Sequence, residues 1–268
     1  MVAAVEVLED AGYHILVPEQ SLCCGRPLYD HGLLTLAEGL LCQILDMLKP
    51  HILAGTPIVG LEPNCVAVFH DELVNFFPHD ENARRLKEQS FLLSEFLTKQ
   101  VENYQPPKLQ RKAVVHGHCH QKTLMRLTSE EAILKKLGVD YELLDSGCCG
   151  MAGAFGFEKK HYDASIKVGE RVLLPAVRAA DEDTLIIANG FSCREQIAQT
   201  TNRQGLHLAE VIQMALHESG SKLPEVTPET KKIASAGSFP ASPRAAASIV
   251  GVLLAAVFFW QRGRRKQG

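Results

Sequence analysis

Short runs of β-branched and aliphatic residues alternate along the chain with longer stretches in which apolar residues recur at helical spacing. The short runs predict strands at residues 14–17, 58–61, 113–116, 141–144 and 185–188. The longer stretches predict helices at residues 2–11, 33–48, 81–101, 130–137, 162–180 and 206–216. This alternation is typical of an α/β fold, in which helical crossovers join the strands of small parallel sheets.

The chain contains the same arrangement of cysteines twice. Each half has a Cys-Cys-Gly triplet followed by one further cysteine, and a threonine precedes that cysteine at the same distance in both halves. The triplets are Cys23-Cys24-Gly25 and Cys148-Cys149-Gly150, and the further cysteines are Cys65 and Cys193. We therefore predict two tandem repeats, which are too few for a solenoid.

Two prolines, Pro106 and Pro107, mark the junction of the repeats, because consecutive prolines end a helix. The predicted organisation is a first repeat at 1–105, a second at 106–218, a linker at 219–244 and an apolar and basic tail at 245–268. The second repeat opens with a strand, whereas the first opens inside an amphipathic helix. We expect the first repeat to lack its N-terminal strand because the chain starts late, or because that repeat evolved without the strand.

Every predicted strand is followed within a few residues by a cysteine. Ligands of open α/β sheets bind at the edge where the carboxyl ends of the strands meet, so we expect distant thiols to converge there. Adjacent cysteines have Cα atoms ~3.8 Å apart, below the usual range for a disulfide, but their thiolates can share one soft metal centre. The second repeat offers four thiols, enough for one four-iron cluster: Cys119, Cys148, Cys149 and Cys193.

The first repeat offers three thiols, those of Cys23, Cys24 and Cys65. They could hold a cluster with a fourth ligand other than cysteine, or hold no metal. Zinc is the main competitor at both places. Structural zinc sites favour Cys-x-x-Cys pairs, which this sequence lacks, so iron and sulfide fit better.

Three histidines alternate around Cys119, at His116, His118 and His120. Such histidines either bind the metal, donate a hydrogen bond to a ligand, or satisfy backbone groups at the end of the strand. For His118 and His120 we favour the last two interpretations.

Cys42 lies in a helical run away from both triplets, and we predict a buried structural cysteine there.

Glycines follow the second triplet, between Gly150 and Gly156. The segment lacks the lysine and Ser/Thr of a phosphate-binding P-loop. We predict instead that its glycines let the backbone close around a cluster and direct N–H groups at the sulfurs. Arg26, after the first triplet, either balances negative charge at the site or is an ordinary surface residue.

The overall composition is that of a soluble globular protein, with 46% hydrophobic and 22% charged residues. A net charge of −3 gives no general attraction to nucleic acid. Eight cysteines in 268 residues do not suggest a disulfide scaffold, and no secretory signal is visible. We therefore expect a reducing cytoplasm, where the thiols stay free to bind metal.

An uncharged apolar run at residues 245–260 precedes a basic end. As a helix it would be ~24 Å long, which is short of the ~30 Å hydrocarbon core of a bilayer. Trp260 and the basic end fit attachment to a membrane surface on the cytoplasmic side, more easily by shallow insertion than by a full span. The alternative is a tail that stays away from the membrane and is either flexible or bound to a partner protein.

The two triplets and Cys119 resemble the cysteine-rich CCG domain family. That family includes the heterodisulfide reductase B subunit, the iron–sulfur subunits of glycerol-3-phosphate and glycolate oxidation, and large fused flavin and iron–sulfur dehydrogenases. The runs at 146–158 and 190–197 resemble the C-terminal part of FAD-linked D-2-hydroxyacid dehydrogenases of the D-lactate and D-2-hydroxyglutarate type. The chain departs from the family pattern where Glu62 and Gly190 replace the first cysteine of a Cys-x-x-Cys pair.

The resemblance implies an electron-transfer module that holds a [4Fe-4S] cluster on the four thiols of the second repeat. Electrons would come from FAD on a missing domain or a partner subunit and leave toward a quinone or another carrier. On this interpretation the chain alone is not catalytic. The alternatives are a thiol–disulfide reductase of the heterodisulfide type, which would act at its cluster, and a zinc-stabilised interaction domain.

Overall fold

A computed structural model describes residues 1–220; residues 221–268, with most of the predicted linker and the whole apolar tail, lie outside the described part. The first half contains α1 (Val2–Asp10), α2 (Arg26–Asp30), α3 (Leu34–Leu53), β1 (Ile58–Gly60), α4 (Pro63–His70), α5 (Glu72–Phe76), α6 (Glu81–Gln89), β2 (Ser90–Leu92) and α7 (Leu93–Lys99). The second half contains β3 (Lys112–His116), α8 (Thr128–Leu137), β4 (Asp140–Leu143), α9 (Tyr162–Gly169), α10 (Leu173–Ala179), β5 (Leu185–Ala188), α11 (Phe191–Thr200) and α12 (Leu208–Glu218). A π-helical turn at Gln121–Met125 and short 3-10 turns at Phe155–Phe157 and Lys159–His161 complete it.

Both sheets are parallel. In the first half β1 pairs with β2, and Ile58 lies opposite Ser90. In the second half β3 is central, in the order β4-β3-β5, and Val114 lies opposite both Glu142 and Ile186. Helices connect the paired strands, so the predicted α/β class with small parallel sheets and helical crossovers is confirmed. The division into two repeats and a linker stays a prediction.

The predicted strand at residues 14–17 is wrong. These residues are irregular, and neither sheet in the described part of the chain pairs with them. Tyr13 fixes the segment to α7 instead: its ring packs edge-on against Phe96, and its hydroxyl donates to the carbonyl oxygen of Gln100. A short run of β-branched and aliphatic residues predicted a strand, but a strand also needs a partner with free backbone groups.

Two predicted helices are interrupted. The stretch 81–101 forms α6, then β2, then α7, because the segment from Ser90 to Leu92 adds a strand beside β1. The side chain of Glu95 accepts the backbone N–H of Leu92 and so starts α7. The stretch 162–180 likewise divides into α9 and α10. Helical periodicity continues across both interruptions, so the sequence pattern alone did not reveal them.

The prediction for Cys42 is also wrong, because this cysteine is exposed. Helix α3 directs Leu41, Ile44 and Leu45 into the core of the first half. Cys42 follows Leu41 by about 100° around the helix and therefore lies on the outer face.

The three-stranded sheet is covered on both faces. Ala113 and Val115 join a core formed with α1, α7, α8 and α12, whereas Val114 joins a second core with α10 and α11. That second core includes Cys149 and Cys193, so the cysteines pack against this face of the sheet.

Within residues 1–220, no helix combines the length and apolar character that crossing a bilayer requires.

Candidate metal centre

The four cysteines of the second half lie beyond the carboxyl ends of its three strands. Cys119 follows β3, Cys148 and Cys149 follow β4, and Cys193 follows β5 as the third residue of α11. Cys149 and Cys193 are buried, whereas Cys119 and Cys148 are partly exposed. The sheet therefore delivers all four side chains to the same edge, as the order of strands and cysteines predicted.

The four thiols form a row in which each one interacts with the next. Cys119 interacts with Cys148, Cys148 with Cys149, and Cys149 with Cys193, and each interaction shifts the pKa values of its two thiols in opposite directions. His116 adds a nitrogen, since its ring and the sulfurs of Cys149 and Cys193 can present ligand atoms within 4.8 Å of one another. The structure thus brings together the side chains that the sequence predicted to share a metal; their role as ligands remains a prediction.

Hydrogen bonds favour the thiolate at two of the four positions. The pKa of Cys148 is held well below its usual range. Hydrogen bonding from the thiols of Cys119 and Cys149 has the largest effect, and the backbone N–H groups of Gly150 and Ala152 add a smaller one. The pKa of Cys193 is lowered as well, mainly by hydrogen bonding from Cys149 and to a smaller extent by the neighbouring His116. Because thiolate is the form of cysteine that binds metal, the site is prepared for a soft cation.

The loop after the second triplet closes tightly on the sulfurs. The N–H of Gly150 donates to Sγ of Cys148 over 3.3 Å. Gly150 has φ +102°, and a Cβ there would lie 2.0 Å from the carbonyl oxygen of Ser165. Only glycine fits this close approach to Ser165, while the closing of the glycine-rich backbone around a cluster stays a prediction.

The three histidines differ in their contacts. Nδ1 of His116 lies 2.7 Å from Oγ of Ser146, while its buried Nε2 has no well-formed hydrogen bond. Nδ1 of His118 accepts the N–H of His120 over 3.3 Å. Nδ1 of His120 lies 2.5 Å from Oδ1 of Asn64 in the first half. Burial lowers the pKa of both His118 and His120, which favours the neutral form of the rings.

The first-half thiols form a smaller group. Sγ of Cys24 lies 3.0 Å from Sγ of Cys65, and Cys23 is exposed beside them. Arg26 is buried and forms ion pairs with Glu72 over 2.5 Å and with Asp30 over 3.4 Å. The hydrogen bond from Cys65, helped by the backbone and guanidinium of Arg26, lowers the pKa of Cys24.

A cavity of about 170 Å³ lies between the two halves at this edge. Cys119, Cys148 and Cys149 line it from the second half, and Asp30 and Asn64 line it from the first. Three of the four sulfur donors thus line an open space, and sulfur donors suit a soft metal or an iron–sulfur cluster in a way that a set of carboxylates would not.

Comparison with known proteins agrees with this geometry. Residues 113–198, which include all four second-half cysteines, match the model of the CCG family, described as a cysteine-rich domain. Lactate utilization protein A of Halalkalibacterium halodurans is 30% identical over 228 residues, covering 78% of this chain and 87% of that protein. The chain belongs to the cysteine-rich CCG domain family.

Two other proteins similar to this CCG chain carry the word dehydrogenase in their names. One subunit of the anaerobic glycerol-3-phosphate dehydrogenase of Escherichia coli is 25% identical, with 79% of this chain and 54% of that protein covered. D-2-hydroxyglutarate dehydrogenase of Pseudomonas putida is 26% identical, with 78% of this chain and 20% of that protein covered. The CCG chain thus spans about half of the first of these proteins and a much smaller part of the second.

Glu62 is a residue of this CCG protein whose contacts sequence reasoning did not foresee. Its Oε1 accepts the N–H of Asn64 over 3.2 Å, and its Oε2 accepts the N–H of Phe191 over 2.7 Å. Burial raises the pKa of this carboxyl, against the effect of those two N–H donors. The signal in the sequence was the departure itself, since Glu62 stands where the family pattern has a cysteine.

Proposed function

We propose that this CCG protein is an iron–sulfur electron-transfer module of a flavin-linked D-2-hydroxyacid dehydrogenase. The observation that carries the proposal is the meeting of four thiols from three strand ends beside one cavity. Sulfur ligation at a sheet edge of this kind suits reversible one-electron chemistry at iron.

A [4Fe-4S] cluster on Cys119, Cys148, Cys149 and Cys193 fits the number of thiols. Two of them are already biased toward thiolate, and the N–H of Gly150 directed at Cys148 would moderate the negative charge of the cluster. Cys23, Cys24 and Cys65 are candidate ligands of a second centre, which needs one further ligand to complete four.

The proposed electron donor is FAD on another domain or subunit, and the proposed acceptor is a quinone or another carrier. Support for the donor comes from the two similar proteins whose names describe dehydrogenases. We place the protein in the reducing cytoplasm, where thiols stay available, with partners at the membrane surface reached by the tail at 245–268.

Anaerobic purification tests the proposal directly. Iron and acid-labile sulfide should be present in near-equal amounts, about four of each per cluster, and dithionite should produce an EPR signal from a reduced cluster. Zinc without sulfide would contradict the proposal and favour an interaction domain, for which two sulfurs and one imidazole nitrogen within 4.8 Å are a reasonable ligand set.

The cavity beside Cys119 and Cys148 favours one second candidate, a thiol–disulfide reductase that binds its substrate at the cluster. Turnover of a small disulfide by the isolated, reduced protein would support this activity. Rapid electron exchange with a flavin dehydrogenase and no disulfide turnover would support the electron-transfer module instead.

A further inference from the structure

One carboxylate contacts the N-termini of the two helices that carry the lone cysteines. Cys65 is the third residue of α4 and Cys193 is the third residue of α11, in opposite halves of the protein. Glu62 is the N-cap of α4 and accepts the N–H of Asn64 there. Its other oxygen accepts the N–H of Phe191, the first residue of α11, across 129 positions of sequence.

Helix α11 has no room for a capping side chain of its own. Its N-cap is Gly190, which makes no side-chain capping bond. A Cβ at this position would lie 2.4 Å from the ring of His118 and 3.2 Å from Sγ of Cys193. The glycine leaves space for the imidazole and the sulfur, and the exposed N–H group at the helix start must find its acceptor elsewhere.

We propose that Glu62 is a positioning residue that holds Cys65 and Cys193 in a fixed relation by capping both helices at once. The proposal rests on the iron–sulfur function of these thiols. It explains why a carboxylate is suitable at a position where the family pattern has cysteine: two oxygens can accept from two helices, whereas one thiolate would serve a metal.

Variants of different length separate the two caps. In Glu62→Asp the shorter side chain is still a good N-cap for α4 but falls about one methylene short of Phe191. In Glu62→Ala both caps are lost. Asp80→Ala is the matched control, because Asp80 caps α6 through Asn82 and Ala83 and takes no part in either hydrogen bond of Glu62.

The test uses the full chain after chelation of metal, with amide hydrogen exchange and alkylation of individual cysteines read by mass spectrometry. In Glu62→Asp we expect roughly fivefold faster exchange around Phe191 and faster alkylation of Cys193, with Cys65 unchanged, as for the loss of one helix cap. In Glu62→Ala both cysteines should react faster, and in Asp80→Ala neither should.

In metal-loaded protein the Glu62→Asp change should also alter the EPR spectrum of the reduced cluster, which Asp80→Ala should leave as in the wild type. Wild-type reactivity of Cys193 in Glu62→Asp, or the same reactivity in Glu62→Ala and Asp80→Ala, would overturn the proposal. If the wild-type protein binds no iron, the proposed function fails. The exchange and alkylation results would still show whether Glu62 caps both helices and positions the two cysteines.

Discussion

At the scale of single residues, backbone conformation at Gly150 is the feature most closely tied to the thiols. Both Gly150 and Gly12 have positive φ, at +102° and +88°, but only Gly150 lacks space for a Cβ. Gly150→Ala should therefore lower the free energy of unfolding by roughly 1–3 kcal/mol more than Gly12→Ala, because a steric clash adds to the backbone strain.

Thermal and urea unfolding of these two alanine variants measure that difference, and iron content reports the effect on the site. Equal losses of stability in the two variants would show that the close approach of Gly150 to Ser165 has no energetic consequence.

Buried Glu130 gives a prediction about pH. Its carboxyl contacts Gln121 and Asn189, with His116 and Glu131 as the nearby titratable groups, and burial raises its pKa from 4.5 to about 7. Between these values the folded state keeps a proton that the unfolded state releases, so this group makes stability fall as pH rises. The full effect is roughly 3 kcal/mol above pH 7.

Glu130→Gln keeps the oxygen that accepts from Gln121 and Asn189 and removes the titration. Urea unfolding of metal-free protein at pH 5 and pH 8 should show the variant gaining stability relative to the wild type as pH rises. A constant difference between the two proteins at both pH values would contradict the raised pKa.

The position of the second-half thiols at one sheet edge was predictable from the sequence, because each of these cysteines follows a strand that ends there. Contacts that cross between the halves were not predictable in this way. The bond from Glu62 to Phe191 and that from His120 to Asn64 depend on how two distant segments meet, which no local pattern encodes.

At the scale of elements, helix α11 supports the loop of the second triplet. Nε2 of Gln196 donates to the carbonyl oxygen of Cys149 over 3.2 Å and to Oγ of Ser165 over 3.1 Å, and the side chain is buried. Gln196→Ala should cost roughly 1–3 kcal/mol of stability, since buried acceptors lose their donor, and should speed the loss of metal.

Gln199 is the matched control on the same helix, because its side chain is exposed and donates to the neighbouring surface residue Glu195. Gln199→Ala should leave the urea midpoint and the rate of metal loss close to those of the wild type. Similar metal loss from both variants would show that α11 does not hold the Cys149 loop.

Prediction of the elements succeeded for the two strands that are mostly buried. β3 and β5 read as short apolar runs, and their bounds agree with the sequence pattern within one residue. β2 was missed because Ser90–Leu92 continues the helical periodicity of its neighbours and becomes a strand only beside β1. Pairing between strands is a tertiary interaction, and it overrode local propensity here.

At the scale of the whole molecule, the duplicated cysteine pattern indicated both the family and the type of centre. The family was confirmed by the match over residues 113–198 and by a relative 30% identical to the chain. The cavity between the halves could not be predicted, because its walls come from Asp30 and Asn64 on one side and the second-half thiols on the other.

The central claim is that thiols from separate strand ends bind one iron–sulfur cluster. Iron and sulfide quantitation of anaerobically purified Cys149→Ser and Cys42→Ser tests it most directly, since Cys149 is buried among the other sulfurs and Cys42 is exposed on α3. The account predicts loss of most second-half iron and sulfide in Cys149→Ser with the fold largely retained by circular dichroism, and full content in Cys42→Ser. Full iron and sulfide in Cys149→Ser would contradict it.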